Sequence, residues 1–178
     1  VETGRVILET LKKQGVSVNT IKDRDGNCPQ HWAAMSGHVA FLNLLHEYDA
    51  DLVAPNMLGT TPLHDAARFG QLGAVKFIVD TCGKENIKTR NEYSLDAFSI
   101  AAHYLQDDVL EYLIQQGDVS NIINAKNARD YTPLDVLEKQ WMKNTVGKRS
   151  IANHILDSDE SARFFSPRSI RQRYERSK

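Results

Sequence analysis

The stretch Gly59-Thr60-Thr61-Pro62-Leu63-His64-Asp65-Ala66-Ala67-Arg68-Phe69-Gly70 decides the fold. Shifted back by 33 positions, its skeleton returns. Gly26 answers Gly59, Pro29 answers Pro62, His31 answers His64, Ala33 and Ala34 answer Ala66 and Ala67, and Gly37 answers Gly70. A fixed offset kept in order across six pairs marks an internal repeat. Each residue type has a physical job in such a unit. Proline starts a helix where its missing N–H costs nothing. Paired alanines let neighbouring helices approach closely, and glycine ends helices in the left-handed conformation. A helix pair of this length cannot bury its apolar face alone, so copies must stack.

A period of about 33 residues opening on Thr-Pro-Leu-His-x-Ala resembles the ankyrin repeat, a turn followed by two helices. The resemblance implies an all-α solenoid of stacked helix-turn-helix pairs joined by β-hairpin-like loops. About four repeats are expected, with a partial one at the N-terminus. The array is placed at 22–156, divided as 22–54, 55–88, 89–125 and 126–156, after a partial repeat or cap over 1–21. Gly4 stands 33 before Gly37, which predicts a helix after it, carried by Val6, Ile7, Leu8 and Leu11 and stopped at Gly15. Outer helices are expected at 39–48, 72–81, 108–116 and within 141–156.

The third repeat is degenerate. Ala101 and Ala102 keep the alanine pair at an offset of 35, but Ser94 and Leu105 stand where glycine is expected, Ala97 where proline is, and Ser99 where histidine is. The fourth restores Thr132-Pro133-Leu134 with Asp135 in place of histidine and loses the alanine pair, as a terminal repeat would. Pro29, His31, Pro62, His64 and Pro133 are therefore assigned to the structural motif. The histidines match the family's inter-repeat hydrogen-bonding histidine, which outweighs their reading as a metal pair, since no cysteine or carboxylate cluster accompanies them.

Net charge is −1, unevenly spread. Residues 161–178, within the tail 157–178, carry six basic residues against Glu175 alone, giving +5 and leaving −6 for the remaining 160 residues. The tail is either an ordered extension or a linker. Ser166, in Arg163-Phe164-Phe165-Ser166-Pro167, is its candidate phosphorylation site. No run of roughly 18 apolar residues could cross a membrane. Cys28 and Cys82 fit no metal spacing and are read as reduced and structural, which places the chain in the cytoplasm, with the nucleus as the alternative. The start at Val1-Glu2-Thr3 resembles the cut edge of a longer protein.

No phosphate loop, nucleophile motif or metalloprotease helix is present, so no catalytic residue, metal or cofactor is assigned. Asp107-Asp108 is read as an acid pair at a helix N-terminus. In ankyrin-like proteins the concave face, built from hairpin tips and inner helices, binds partners. The positions that correspond here are Trp32, Met35, Arg68, Phe69, Tyr93, Tyr104 and Tyr131. Aromatics and arginine dominate interface energetics. The row is either a groove for a protein or extended peptide, or a set of rings packed between repeats.

Two functional classes follow. The first is a non-catalytic interaction scaffold with a protein or peptide partner and no nucleic acid. The second is a recruitment domain of an enzyme, because His31-Trp32-Ala33-Ala34 resembles a pattern in ankyrin-bearing, membrane-embedded protein palmitoyltransferases. A regulatory domain of a channel or kinase is a further alternative.

Overall fold

A computed structural model describes residues 2–116, 126–133 and 135–136. Seven α-helices are described: α1 (Glu2–Lys13), α2 (Pro29–Met35), α3 (Val39–Glu47), α4 (Pro62–Arg68), α5 (Leu72–Cys82), α6 (Ala97–Tyr104) and α7 (Asp107–Gln115). Short 3-10 turns at Val18–Thr20 and Lys84–Lys88 join them, and no strand occurs among the described residues. Pro29 and Pro62 occupy the first turns of α2 and α4.

The helices form two rows. The inner row is α2, α4 and α6, each packed on the next; the outer row is α1, α3, α5 and α7, again in order. Within a repeat, α2 packs on α3, α4 on α5 and α6 on α7. Ala33–Ala34, Ala66–Ala67 and Ala101–Ala102 are buried at the inner–outer seam. Leu42, Leu44 and Leu45 of α3, Val75, Ile78 and Val79 of α5, and Val109, Leu110 and Leu113 of α7 complete one continuous core. Each such side chain removed from water contributes about 1.5–3 kcal/mol.

The inner helices end alike. Gln71 N–H reaches Ala66 O at 2.9 Å past Gly70, and Gln106 N–H reaches Ala101 O at 2.9 Å past Leu105. This six-to-one closure needs a left-handed residue in between. Gly70 supplies it with φ +68°, and a Cβ there would also collide with Gln106 Oε1 of the next repeat. The third repeat adopts the same turn without glycine: Leu105 has φ +57°. Its backbone thus keeps a conformation that costs an L-residue roughly 1–2 kcal/mol.

The hairpins repeat as well. Asp23, Asn56, Asn91 and Asn127 each accept two backbone N–H bonds on Oδ1, from the residues two and four positions on. Gly26, Gly59, Ser94 and Asp130 close these turns, all with positive φ. Successive tips are tied by single backbone bonds of 3.1 Å: Met57 N–H to Asp25 O, Glu92 N–H to Leu58 O and Ala128 N–H to Tyr93 O. Gly59 sits at one such approach, where a Cβ would lie 3.3 Å from Asn91 Cα.

The sequence-based expectation for the N-terminus needs one correction. Helix α1 runs through Gly4, which is not a turn glycine. The helix stops match at an offset of 34, Gly15 (φ +69°) with Asp49 (φ +61°), and Gly4 packs its small face against Phe41 instead. The helix expected within 141–156, the tail 157–178 and Ser166 lie outside the described residues.

Candidate functional site

His31 and His64 are explained by the fold. His31 is buried, accepts the Cys28 N–H on Nδ1 at 3.1 Å, and donates from Nε2 to Thr60 O of the next repeat at 3.0 Å. His64 does the same one repeat on: Thr61 N–H and Oγ1 meet Nδ1 at 3.1 and 2.8 Å, and Nε2 lies 3.0 and 3.1 Å from Thr89 O and Leu95 O. Accepting backbone N–H on Nδ1 fixes the proton on Nε2. Burial lowers the pKa of both imidazoles, though the carbonyls they face oppose the shift. The Thr61 hydroxyl is engaged with this ring, and the pair forms a capping box at the start of α4. No group of three or more His, Cys, Asp or Glu is placed to hold a metal among the described residues.

The strut changes chemistry after the second repeat. Asp96 caps α6 by accepting Ser99 N–H at 2.7 Å, and Ser99 occupies the histidine position. In the fourth, Thr132 N–H and Oγ1 both donate to Asp135 Oδ2 at 2.8 Å, so the carboxylate replaces the Nδ1 acceptor. Pro133 is buried beside it.

The surface positions divide into two groups. Arg68, Phe69 and Tyr104 come together: the Arg68 guanidinium lies 5.5 Å from the Phe69 ring centroid and 5.0 Å from that of Tyr104. Tyr104 in turn meets His103 edge-on at 5.0 Å. Beyond His103 opens a cleft of about 290 Å³ between the third and fourth repeats, lined by Tyr93, Leu95, Ser99, Arg129, Tyr131 and Pro133 among others. Phe69, Tyr93, Tyr104 and Tyr131 are all exposed. Met57 and Leu58, at the second hairpin tip, are exposed apolar side chains too.

Trp32 stands apart. Its indole N–H donates to Asp23 Oδ2 at 3.1 Å, and no ring or cation contact joins it to the other group among the described residues. Its register mates are Asp65 and Ile100, which are 5% and 6% exposed with an inner helix before them, whereas Trp32 is 52% exposed on the first described inner helix. Met35, half-buried, is the register mate of Arg68.

The repeat motif does not single out Asp65. The structure buries it, leaves Oδ2 without a hydrogen bond, and raises its pKa to about 7 through burial, with Arg68 pulling the other way. The signal was available: the same position in the third repeat is the apolar Ile100.

The comparisons agree with this architecture. A family model described as ankyrin repeats, in three copies, matches residues 1–91. The chain is similar to a transient receptor potential cation channel subfamily A member 1 homolog of Caenorhabditis elegans, 31% identical over 134 residues, covering 75% of this chain and 10% of that protein. It is 29% identical over 116 residues to the NF-kappa-B inhibitor cactus of Drosophila yakuba, covering 65% and 22%. It is 30% identical over 143 residues to protein phosphatase 1 regulatory subunit 12A of Rattus norvegicus, covering 78% and 13%. The chain thus spans less than a quarter of each of these relatives. The repeating struts, turns and alanine seams, together with the family match, make this chain a member of the ankyrin-repeat family.

Proposed function

We propose that the chain is a non-catalytic binding module that receives an extended segment of a partner protein along its inner-helix face. Arrays of this family generally mediate protein–protein interaction and are generally non-catalytic. One observation carries the finer reading. The exposed Arg68 guanidinium lies 5.5 and 5.0 Å from the Phe69 and Tyr104 ring centroids, and Tyr104 meets His103, which lines one cleft with the exposed Tyr93 and Tyr131. Aromatic surface beside an arginine is the composition of interface hot spots.

The proposal takes the array as 22–156 with a partial repeat before it. It places the module in the cytoplasm; Cys28 and Cys82 are free thiols, and Cys28 is buried. No described helix is long and apolar enough to cross a membrane. A second reading, a regulatory domain of a larger channel, draws support from the similarity to the channel subfamily homolog. The palmitoyltransferase reading draws no separate support, since His31, Ala33 and Ala34 are accounted for by repeat packing.

The test is affinity capture from a cell lysate with Phe69→Ala and Tyr104→Ala. Captured proteins should be lost, with the unfolding midpoint within a few degrees of the parent, because both residues are exposed and lie outside the core. Capture that survives both changes would remove the assignment of this face.

A further inference from the structure

The cleft between the third and fourth repeats sits where the two earlier junctions hold an imidazole. His31 Nε2 bonds Thr60 O and His64 Nε2 bonds Leu95 O. Thr60, Leu95 and Tyr131 are register mates, each accepting the N–H of its hairpin asparagine: Asn56, Asn91 and Asn127. Ser99 is the register mate of the two histidines, and both Ser99 and Tyr131 line the cleft. A serine side chain is too short to replace the ring, so the volume of a flat side chain is left between α6 and the fourth hairpin. Its lining includes Tyr93, Tyr131 and Pro133.

Charge points to what accompanies that side chain. The Arg68 guanidinium lies near the Tyr104 and Phe69 rings, and among the described residues it makes no ion pair. Arg129 lies at the cleft, whereas the neighbouring Asp130 is engaged by Lys126 at 2.8 Å. The Arg68 guanidinium lies within about 10 Å of the His103 ring at the cleft, which is two to four residues of extended chain at roughly 3.3 Å each.

We propose that this cleft is the specificity pocket of the face: an aromatic side chain of the bound segment enters it in place of the missing histidine ring, and an aspartate or glutamate two to four residues away pairs with Arg68. This rests on the reading that a partner segment lies along the inner-helix face. Aromatic side chains give large contact area for few rotors, and a guanidinium presents a planar fork that matches a carboxylate.

The experiment pans a phage-displayed random peptide library on the chain and measures the affinity of enriched peptides for variants. Enriched peptides should share an aromatic residue with an acid two to four positions away. Ser99→His should fill the cleft, keep or raise the unfolding midpoint, and weaken these peptides by roughly tenfold or more, while Ser99→Ala leaves them bound. Arg68→Gln, at an exposed site, should cost a similar factor and erase the acid preference when panning is repeated; it decides the matter even if Ser99→His fails to fold. Peptides that bind Ser99→His and Arg68→Gln at full affinity but are lost on Phe69→Ala or Tyr93→Ala would overturn the pocket and keep the face. Peptides indifferent to all four changes, or no enrichment, would overturn both.

Discussion

Asp65→Leu is expected to stabilise the array, and more so at alkaline pH. Asp65 is buried with Oδ2 unsatisfied, and burial raises its pKa to about 7 against the 3.8 of a free aspartate. Between those values the folded state holds a proton that the unfolded chain releases. The native state therefore binds more protons, and stability falls as pH rises from about 4 to 7. At pH 8 the full penalty applies, on the order of 4 kcal/mol at 1.36 kcal/mol per pKa unit. At pH 5 most of it is absent. Leucine removes the titrating group and supplies the apolar character that Ile100 already has one repeat on. Urea unfolding should show a gain over the parent that is larger at pH 8 than at pH 5 by roughly 2 kcal/mol. Asp65→Asn should flatten the same pH dependence with less overall gain. An equal gain at both pH values would show that the carboxyl is not held protonated in the fold.

His64→Ala is expected to be the most damaging of the histidine changes. It deletes the bonds to Thr89 O and Leu95 O, strands the Thr61 N–H in the core, and opens a ring-sized cavity between two repeats. A stranded buried donor costs about 1–3 kcal/mol and the cavity adds to it, so a loss of roughly 3 kcal/mol or more follows. The pH signature has the opposite sign to that of Asp65. Burial keeps the His64 pKa below its ordinary value, so the unfolded chain takes up a proton that the folded ring refuses. Stability contributed by the neutral ring is lost as pH falls below about 6.5. Unfolding of the variant followed from pH 7.5 to 5.5 should therefore show a shallower acid limb than the parent. An unchanged acid limb would mean that the ring titrates alike in both states.

These two residues mark how far the sequence carries. His64 was legible because its job recurs: the same residue at one repeat's spacing implied the same strut, and His31 confirms it with matching partners. The alanine seams, the proline starts and the Gly70 turn were legible for the same reason. The third repeat was legible only as degenerate. That Ser94 and Leu105 still take the left-handed conformation is fixed by the stacking on either side, which overrides the local preference of both residues. The hairpin ring of Asp23, Asn56, Asn91 and Asn127 lay in the sequence three positions before each turn residue, yet its offset drifts from 33 to 36 and hides it from a fixed period. Gly4 misled because glycine at the right spacing resembled a turn, whereas the register of the helix stops is 34.

The surface was harder. Exposure of Phe69, Tyr93, Tyr104 and Tyr131 depends on which neighbours cover each position, and no single-repeat pattern encodes that. Trp32 shows the limit: Asp65 and Ile100 share its register position but are buried, because each has an inner helix before it. The cleft arises from a substitution at one junction, Ser99 for histidine, and its lining comes from residues more than 30 positions apart.

The central claim is that a partner lies along the inner-helix face and the hairpin tips. Backbone amide exchange of the chain, with and without a captured partner, tests it most directly. Slowed exchange should centre on the tips at 57–60, 92–95 and 128–131 and on the last turns of α4 and α6, with α3, α5 and α7 little changed. Protection confined to α3, α5 and α7, with the tips exchanging as in the free chain, would contradict it.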